Sequence, residues 1–276
     1  MCRPDQFLLR HLQHYARPDG RSESRHRRAH LKTALVESAH GSAIVRIGQT
    51  TVLAGITCKP LRPPEQKPNS GRVTVSLELA ATASVAAAAA ATRTGGITSG
   101  SRADYAATAD LVRHAATTGI LKLESLCVEP GSLVWGVHCD IHILEDDGSH
   151  VDACILALNS SVRDVSLPDV FLSEDDAQNA VSLSDENVRP LKYSPASDTI
   201  FAITFGVISG TLVADPTSDE QILMDACFTV LMSGGLEFRG LHKLGGHTAS
   251  DACIAAAVDC ARHRVVALCA LLEGGG

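Results

Sequence analysis

The chain alternates apolar and polar positions at two periods, and the switches between them mark its elements. In GSAIVRIGQTTVLAGIT, residues 41–57, two β-rich runs flank Gly48 and Gln49. That pair suits a two-residue type II′ turn with glycine first, so a hairpin is expected. Leu133 to Leu144 reads as one long strand ending at the turn of Asp147 and Gly148; Val137, Cys139, Ile141 and Ile143 share one face and His138, Asp140 and His142 the other. Val151, Ile155, Leu158 and Val162 then recur at helical spacing. A second hairpin is expected in TIFAITFGVISGTLVAD, with Ser209 and Gly210 at its turn. Strands at 226–232 and 236–243 flank Ser233, Gly234 and Gly235. The last helix carries Ile254, Val258, Ala261, Val265, Leu268 and Leu272 on one stripe, with Asp259 and His263 opposite.

Weaker signals fill the gaps. Asp5 can cap a short helix striped by Leu8, Leu12 and Tyr15 and ended by Pro18, Asp19 and Gly20. Residues 60–71 and 80–101 read as long loops, although six consecutive alanines can extend a helix, and 104–121 gives a weak helix. The acidic, polar stretch 173–190 reads as a linker. Each side of it runs hairpin, further strands, then helix, which predicts an α+β fold built as an internal pseudo-repeat.

Composition narrows the class. The chain has 276 residues, 45% hydrophobic and 20% charged, enough for a real core and incompatible with disordered or fibrous chains. The uncharged stretch from Leu79 to Thr92 is short of the roughly 20 apolar residues of a bilayer helix. The first residues lack the uninterrupted apolar core of a secretory signal, so no membrane or export role is expected. Nine cysteines, an odd number with no CxxC, read as reduced, buried thiols of a cytosolic or nuclear protein. The net charge of -7 hides an asymmetry: residues 1–32 hold 8 Lys and Arg against 3 Asp and Glu, a balance of +5 that leaves -12 for the remainder. This basic front end reads as a solvated arm or as a patch for RNA or an acidic neighbour.

Three groups of residues could carry chemistry. His138, Asp140 and His142 share a strand face, but a solvated polar face explains them as well as a metal does, and no metal or other cofactor is expected. Asp219 and Asp225 could converge on magnesium or a proton-transfer task, against turn chemistry for Asp219 in DPTSD. Asp147, Gly148 and Ser149 precede a helix, where free N–H groups could cradle phosphate. No arginine follows them: position 150 is histidine, position 152 aspartate, and Glu145, Asp146 and Asp147 crowd the turn. P-loop, GxGxxG and GxSxG motifs do not occur.

Taken in order, RPDGR (17–21), GSAIVRIGQTTVLAGIT (41–57), LCVEPGSLVWGVHCDIHILEDDG (126–148), DACILAL (152–158), VADPTSDEQ (213–221) and LHKLGG (241–246) resemble the RNase PH-like subunits that form the hexameric ring of the RNA exosome, in its branch regarded as non-catalytic. The resemblance implies an α+β fold of mixed sheets and packed helices. Residues 28–170 and 191–272 would be its two pseudo-repeated halves, joined by 173–190. Catalytic relatives place Gly-Thr-Arg, or something close, where this chain has Gly148, Ser149 and His150, with the arginine gripping phosphate; Asp219 and Asp225 match their acid pair. The implied role is structural, without catalytic residues, in a ring that supports 3′ to 5′ RNA processing and decay. Implied partners are other RNase PH-like ring subunits, cap subunits with RNA-binding domains, an associated hydrolytic nuclease, and RNA in a channel that Arg93 and Arg102 could approach. The implied locations are nucleus, nucleolus and cytoplasm. The alternatives are an active phosphate-dependent 3′ to 5′ exoribonuclease using Asp219 and Asp225 with magnesium, or a stand-alone RNA-binding module; 3 Tyr, 6 Phe and 1 Trp offer the latter few stacking platforms.

Overall fold

The structure, a computed structural model, describes residues 17–80, 102–172, 181–191, 193–195, 197–243 and 246–274. The opening helix expected around Leu8, Leu12 and Tyr15, and all but the first residue of the 80–101 stretch, fall outside them.

Strict alternation builds the first sheet. Its strands are β1 (Ala29–Thr33), β2 (Gly41–Ile47), β3 (Thr50–Leu61), β4 (Arg72–Leu79), β5 (Cys127–Glu129) and β6 (Leu133–Glu145). Their order is β1-β2-β3-β6-β4, with β5 against β6, and only the β4–β6 pair is parallel. The first hairpin turns at Gly48, whose φ is +62°, and β3 buries Val52, Ala54, Ile56 and Cys58 from the same face. The second sheet holds β9 (Ile200–Ile208), β10 (Thr211–Ala214), β11 (Ala226–Ser233) and β12 (Phe238–His242) in the order β10-β9-β11-β12. Ser209 and Gly210 both take positive φ at its hairpin turn, as the expected hairpin requires.

The weak helix expected at 104–121 is α1 (Arg102–Ala115) followed by a single π turn over Ala116–Ile120. Thr117, Thr118 and Gly119 are poor helix formers and let the last turn widen. The 173–190 stretch is more than a linker: β8 (Val181–Pro190) pairs antiparallel with β7 (Ser166–Leu172) in a separate two-stranded sheet, each strand supplying backbone partners for the other. Residues 173–180 lie outside the described residues. The thiols also differ from expectation. Cys58, Cys139 and Cys154 are buried, whereas Cys127, Cys227, Cys253, Cys260 and Cys269 are half-buried, since they fall at the margins of their elements' inner faces.

Between the sheets lies α2 (His150–Asp164), buried from His150 through Val162 on every side rather than along one stripe. Its polar side chains therefore need partners inside the protein. Asn159 Nδ2 donates to Ile200 O at 2.9 Å, and the Ser160 and Ser161 hydroxyls donate to Leu156 O and Leu158 O in their own helix. Asp152 reaches across to β9, accepting from the Thr204 N–H at 2.9 Å and the Thr204 hydroxyl at 2.6 Å. β2 approaches α2 so closely that a Cβ at Gly41 would lie 2.6 Å from Ser161 O. Against the second sheet packs α4 (Asp251–Gly274), through Ala257, Ala261, Val265, Leu268 and Leu272; Ile254 and Val258 sit at the margin of that stripe.

The basic front end is only partly a solvated arm. Arg17, Arg21 and Arg27 turn inward onto the segment after β10. Arg17 pairs with Glu220 and donates to Ala214 O and Asp215 O. Arg27 Nη2 meets Asp215 Oδ1 at 2.6 Å, and its backbone N–H donates to Asp215 Oδ2 at 2.7 Å. Asp215 is 2% exposed. Burial alone would raise its carboxyl, but the hydrogen bonds and charge of Arg27, with Arg21 behind, hold it well below the usual carboxylate range. Glu220 closes a capping box with Thr217 at the start of α3 (Ser218–Gln221), which aims its carboxylate at Arg17.

Removing a partner from a buried pair leaves uncompensated charge, so Asp215→Asn is expected to destabilise the chain by about 3–5 kcal/mol, read from urea unfolding. The wild-type contribution of Asp215 is complete above about pH 4, the unfolded carboxyl value, and fades as pH falls toward its depressed folded value. Asp152 acts in the opposite sense. Burial pushes its carboxyl up to about 7 against the Thr204 hydrogen bonds, so the folded chain keeps a proton that the unfolded chain has released. Stability should fall as pH rises from about 4 toward 7, and Asp152→Asn should remove that part of the slope. Identical slopes in wild type and variant would show that Asp152 is ionised throughout.

Candidate functional site

The loop between β6 and α2 carries the candidate anion cradle, and its shape is set by two residues. Gly148 has φ +80°, and a Cβ there would come within 2.6 Å of Pro216 O and 2.8 Å of Ser218 N, so only glycine lets the loop rest on the second half. Ser149 follows in the left-handed region at φ +54° and donates its hydroxyl to Pro216 O at 3.2 Å.

Two of the N–H groups in the loop already have acceptors inside the protein. Asp147 N donates to Thr50 Oγ1 at 3.0 Å and Gly148 N to Asp146 Oδ1 at 2.9 Å. The three acids do not simply crowd the turn either. Asp146 turns inward, where Oδ2 accepts from the Tyr105 hydroxyl at 2.9 Å and faces His150 Nδ1 at 3.1 Å. Burial would raise this carboxyl, but His150 and the hydrogen bonds from Tyr105 and Gly148 hold it at about 2. Asp147 pairs with Arg27 at 3.1 Å, and Glu145 lies at the exposed end of β6 near Thr51. His150 is 5% exposed, its ring 5.1 Å from that of Tyr105 and its Nε2 3.1 Å from Thr108 Oγ1. With Nδ1 facing Asp146 and Nε2 facing Thr108, both ring nitrogens are occupied inside the protein.

A guanidinium does reach the loop, from far away in the sequence. Arg27 Nη1 donates to Asp147 O at 2.8 Å and Nη2 to Gly148 O at 3.0 Å, while Thr50 Oγ1 donates to Gly148 O at 2.8 Å. Its fork is spent on backbone carbonyls and on Asp147 and Asp215, so it ties the loop to the rest of the protein. Sequence reasoning missed it because the contact spans 120 positions; the clustering of arginines after RPDG was the available signal.

Asp219 sits beside the loop, since its neighbour Ser218 donates its hydroxyl to Asp147 Oδ1 at 3.2 Å. Asp219 is exposed in α3, beside Glu220 which points inward. Asp225 Oδ2 accepts from Ser209 N at 2.6 Å, so its carboxylate helps close the β9–β10 turn. On β6, His138 Nε2 lies 2.9 Å from Asp140 Oδ1, while His142 Nδ1 turns to Glu78 on β4 at 3.5 Å. These half-exposed side chains form two separate pairs rather than converging on one point. Arg93 and the side chain of Arg102 lie outside the described residues.

The 3′ exoribonuclease family, domain 1, matches residues 25–168, and domain 2 of the same family matches 198–264. The exosome complex component Rrp42 of Thermococcus gammatolerans is 31% identical, over 81% of this chain and 77% of that protein. The exosome complex component rrp43 of Schizosaccharomyces pombe is 28% identical, over 88% of this chain and 85% of that protein. Among solved structures, a chain of the Archaeoglobus fulgidus exosome with RNA bound to the active site superposes with a TM-score of 0.77 at 23% identity, covering 96% of this chain and 95% of that one. With both domains matched, in order and over most of its length, the chain belongs to the RNase PH family of 3′ exoribonuclease folds.

Proposed function

We propose that this chain is a non-catalytic subunit of an RNA exosome ring, shaping the ring and its RNA channel while other proteins cut. One observation carries the reading. Where catalytic relatives are expected to hold phosphate, this loop holds its own carboxylate: Asp146 takes the Gly148 N–H and the Tyr105 hydroxyl, with His150 at position 150 facing it. An anion arriving from solvent would find these donors used and the adjoining charge negative. Asp219 and Asp225 keep the spacing of an acid pair, but one of them serves a turn.

The names of the relatives, exosome complex components Rrp42 and Rrp43, support membership of such a ring, and hence other RNase PH-like subunits as neighbours. Within the ring we assign the chain the position of exosome component eight, which LVWGVHCD followed by DDG and DAC resembles. Cap subunits with RNA-binding domains, a hydrolytic nuclease, RNA contact by Arg93 and Arg102, and a place in nucleus, nucleolus and cytoplasm belong to the same proposal. So does the division at 28–170 and 191–272.

The pure chain is expected to release no nucleoside diphosphate from RNA with phosphate and magnesium present. Release that is lost in Asp225→Asn would establish the exoribonuclease alternative instead. Calorimetric titration of phosphate should give binding no tighter than millimolar, about -4 kcal/mol, in wild type and in His150→Arg alike. In that variant the new guanidinium meets Asp146 first, and the lost contacts with Thr108 and Tyr105 should lower stability by about 1–3 kcal/mol. Tight phosphate binding by wild type would sink the reading. Co-expression with other RNase PH-like ring subunits should yield one heteromeric species in a native mass spectrum; a monomer that ignores them would count against ring membership.

A further inference from the structure

A second group of basic residues lies beside the buried arginines and is not used by them. β1 is an edge strand of the first sheet. Arg28, His30 and Lys32 alternate onto one exposed face, and register sets Arg46 of β2 directly across from His30. Arg25 is exposed nearby. Among the described residues none of these five side chains has a carboxylate partner: Arg46 bonds only Gly48 O and the Gln49 amide oxygen. Arg28 and Lys32 lie diagonally across the strand pair from Arg46, and like charges at that spacing repel unless an anion lies between them.

The same place has a cavity and an exposed backbone. A pocket of about 530 Å³ is lined by Arg21, Arg25, Arg28, His30 and Arg46, with one carboxylate, Asp19, which is paired with Arg21. Two buried nitrogens in its wall have no hydrogen-bond acceptor: Arg21 Nη2, whose closest carboxylate oxygen on Glu220 is 4.0 Å away, and His26 Nε2. Along β1 the bonds from Gly48 N to Arg28 O and from Ala34 N to Ser42 O fix which residues face β2. Positions 28, 30, 32 and 34 turn their backbone groups inward, so Ala29, Leu31 and Thr33 present theirs to the free edge.

We propose that the β1 edge and its arginine pocket dock an extended, carboxylate-rich segment of a partner protein. The segment adds as a strand through the backbone of Ala29, Leu31 and Thr33 while its acidic side chains reach Arg28, Lys32 and Arg46. Single-stranded RNA fits less well, because no Phe, Tyr or Trp lines the pocket to stack a base, whereas an edge strand supplies what an extended peptide needs. The proposal stands on β1 and its face alone, independent of the ring assignment.

The full-length chain is titrated at low salt with a labelled peptide of alternating Glu and Val, its Gln counterpart, and oligouridylate. The acidic peptide should bind at least about tenfold more tightly than the Gln peptide, since several exposed pairs each contribute only fractions of a kcal/mol. Arg28→Glu with Lys32→Glu should lose that preference and gain binding to a Lys-Val peptide. Thr33→Pro removes one outward N–H without touching a β1–β2 bond, and should weaken the acidic peptide severalfold with unfolding unchanged. Equal affinity for acidic and Gln peptides, or insensitivity to both variants, would overturn the proposal. Tighter binding of oligouridylate that is lost in the charge-reversed protein would replace the peptide with RNA.

Discussion

The charge of Asp215 is the constraint on which most of this structure depends. A carboxylate this deeply buried is tolerated only with cations and N–H groups around it, and the sequence supplies them from its front end as Arg27 and Arg21. Because Arg27 also grips Asp147 O and Gly148 O, one guanidinium fixes three segments that are far apart in sequence: residues 17–27, the loop before α2 and the chain after β10. The hydrophobic core brings the two sheets onto α2, but apolar packing is nondirectional and does not by itself set where the loop lies. The ion pairs do, since a guanidinium fork accepts only a narrow set of directions.

Much of the fold could be read from local pattern. The two hairpins, the long β6, α2 and α4 are each announced by alternation or helical spacing together with the right turn residues, such as Gly48 and the pair Ser209 and Gly210. What escaped is nonlocal. Nothing near Val151 says that a helix with Asp152, Asn159, Ser160 and Ser161 is buried on all sides, because the Asp152 carboxylate, the Asn159 Nδ2 and the two serine hydroxyls find partners on β9 or in their own helix turn. Strand β8 was hidden by acidic and polar residues that are compatible with a two-stranded hairpin of its own. The arginines of the front end read as solvated because their partners, Asp215 and Glu220, lie about two hundred residues away.

The loop shows the same division. Its glycine, its acidic neighbours and the histidine at 150 are visible in the sequence. The inward turn of Asp146, and the use of Thr50, Tyr105 and Thr108 to satisfy the loop, depend on residues from β3 and α1. Sequence suggested electrostatic repulsion as the obstacle to an anion. The geometry adds prior occupancy: the Gly148 N–H and the Tyr105 hydroxyl are engaged by Asp146, one of the three acids, and the Asp147 N–H by Thr50.

That occupancy makes the loop a ratchet. Removing Asp146 alone would leave His150 and the Gly148 N–H without their acceptor, and replacing His150 alone would set a new cation against a carboxylate that is already in place. Each single step passes through a protein with a buried polar group stranded, so a lineage that has acquired this arrangement must change several positions together to leave it. The interior hydrogen bonds of a small loop can thus make its chemistry resist single substitutions, whatever the surrounding fold would allow.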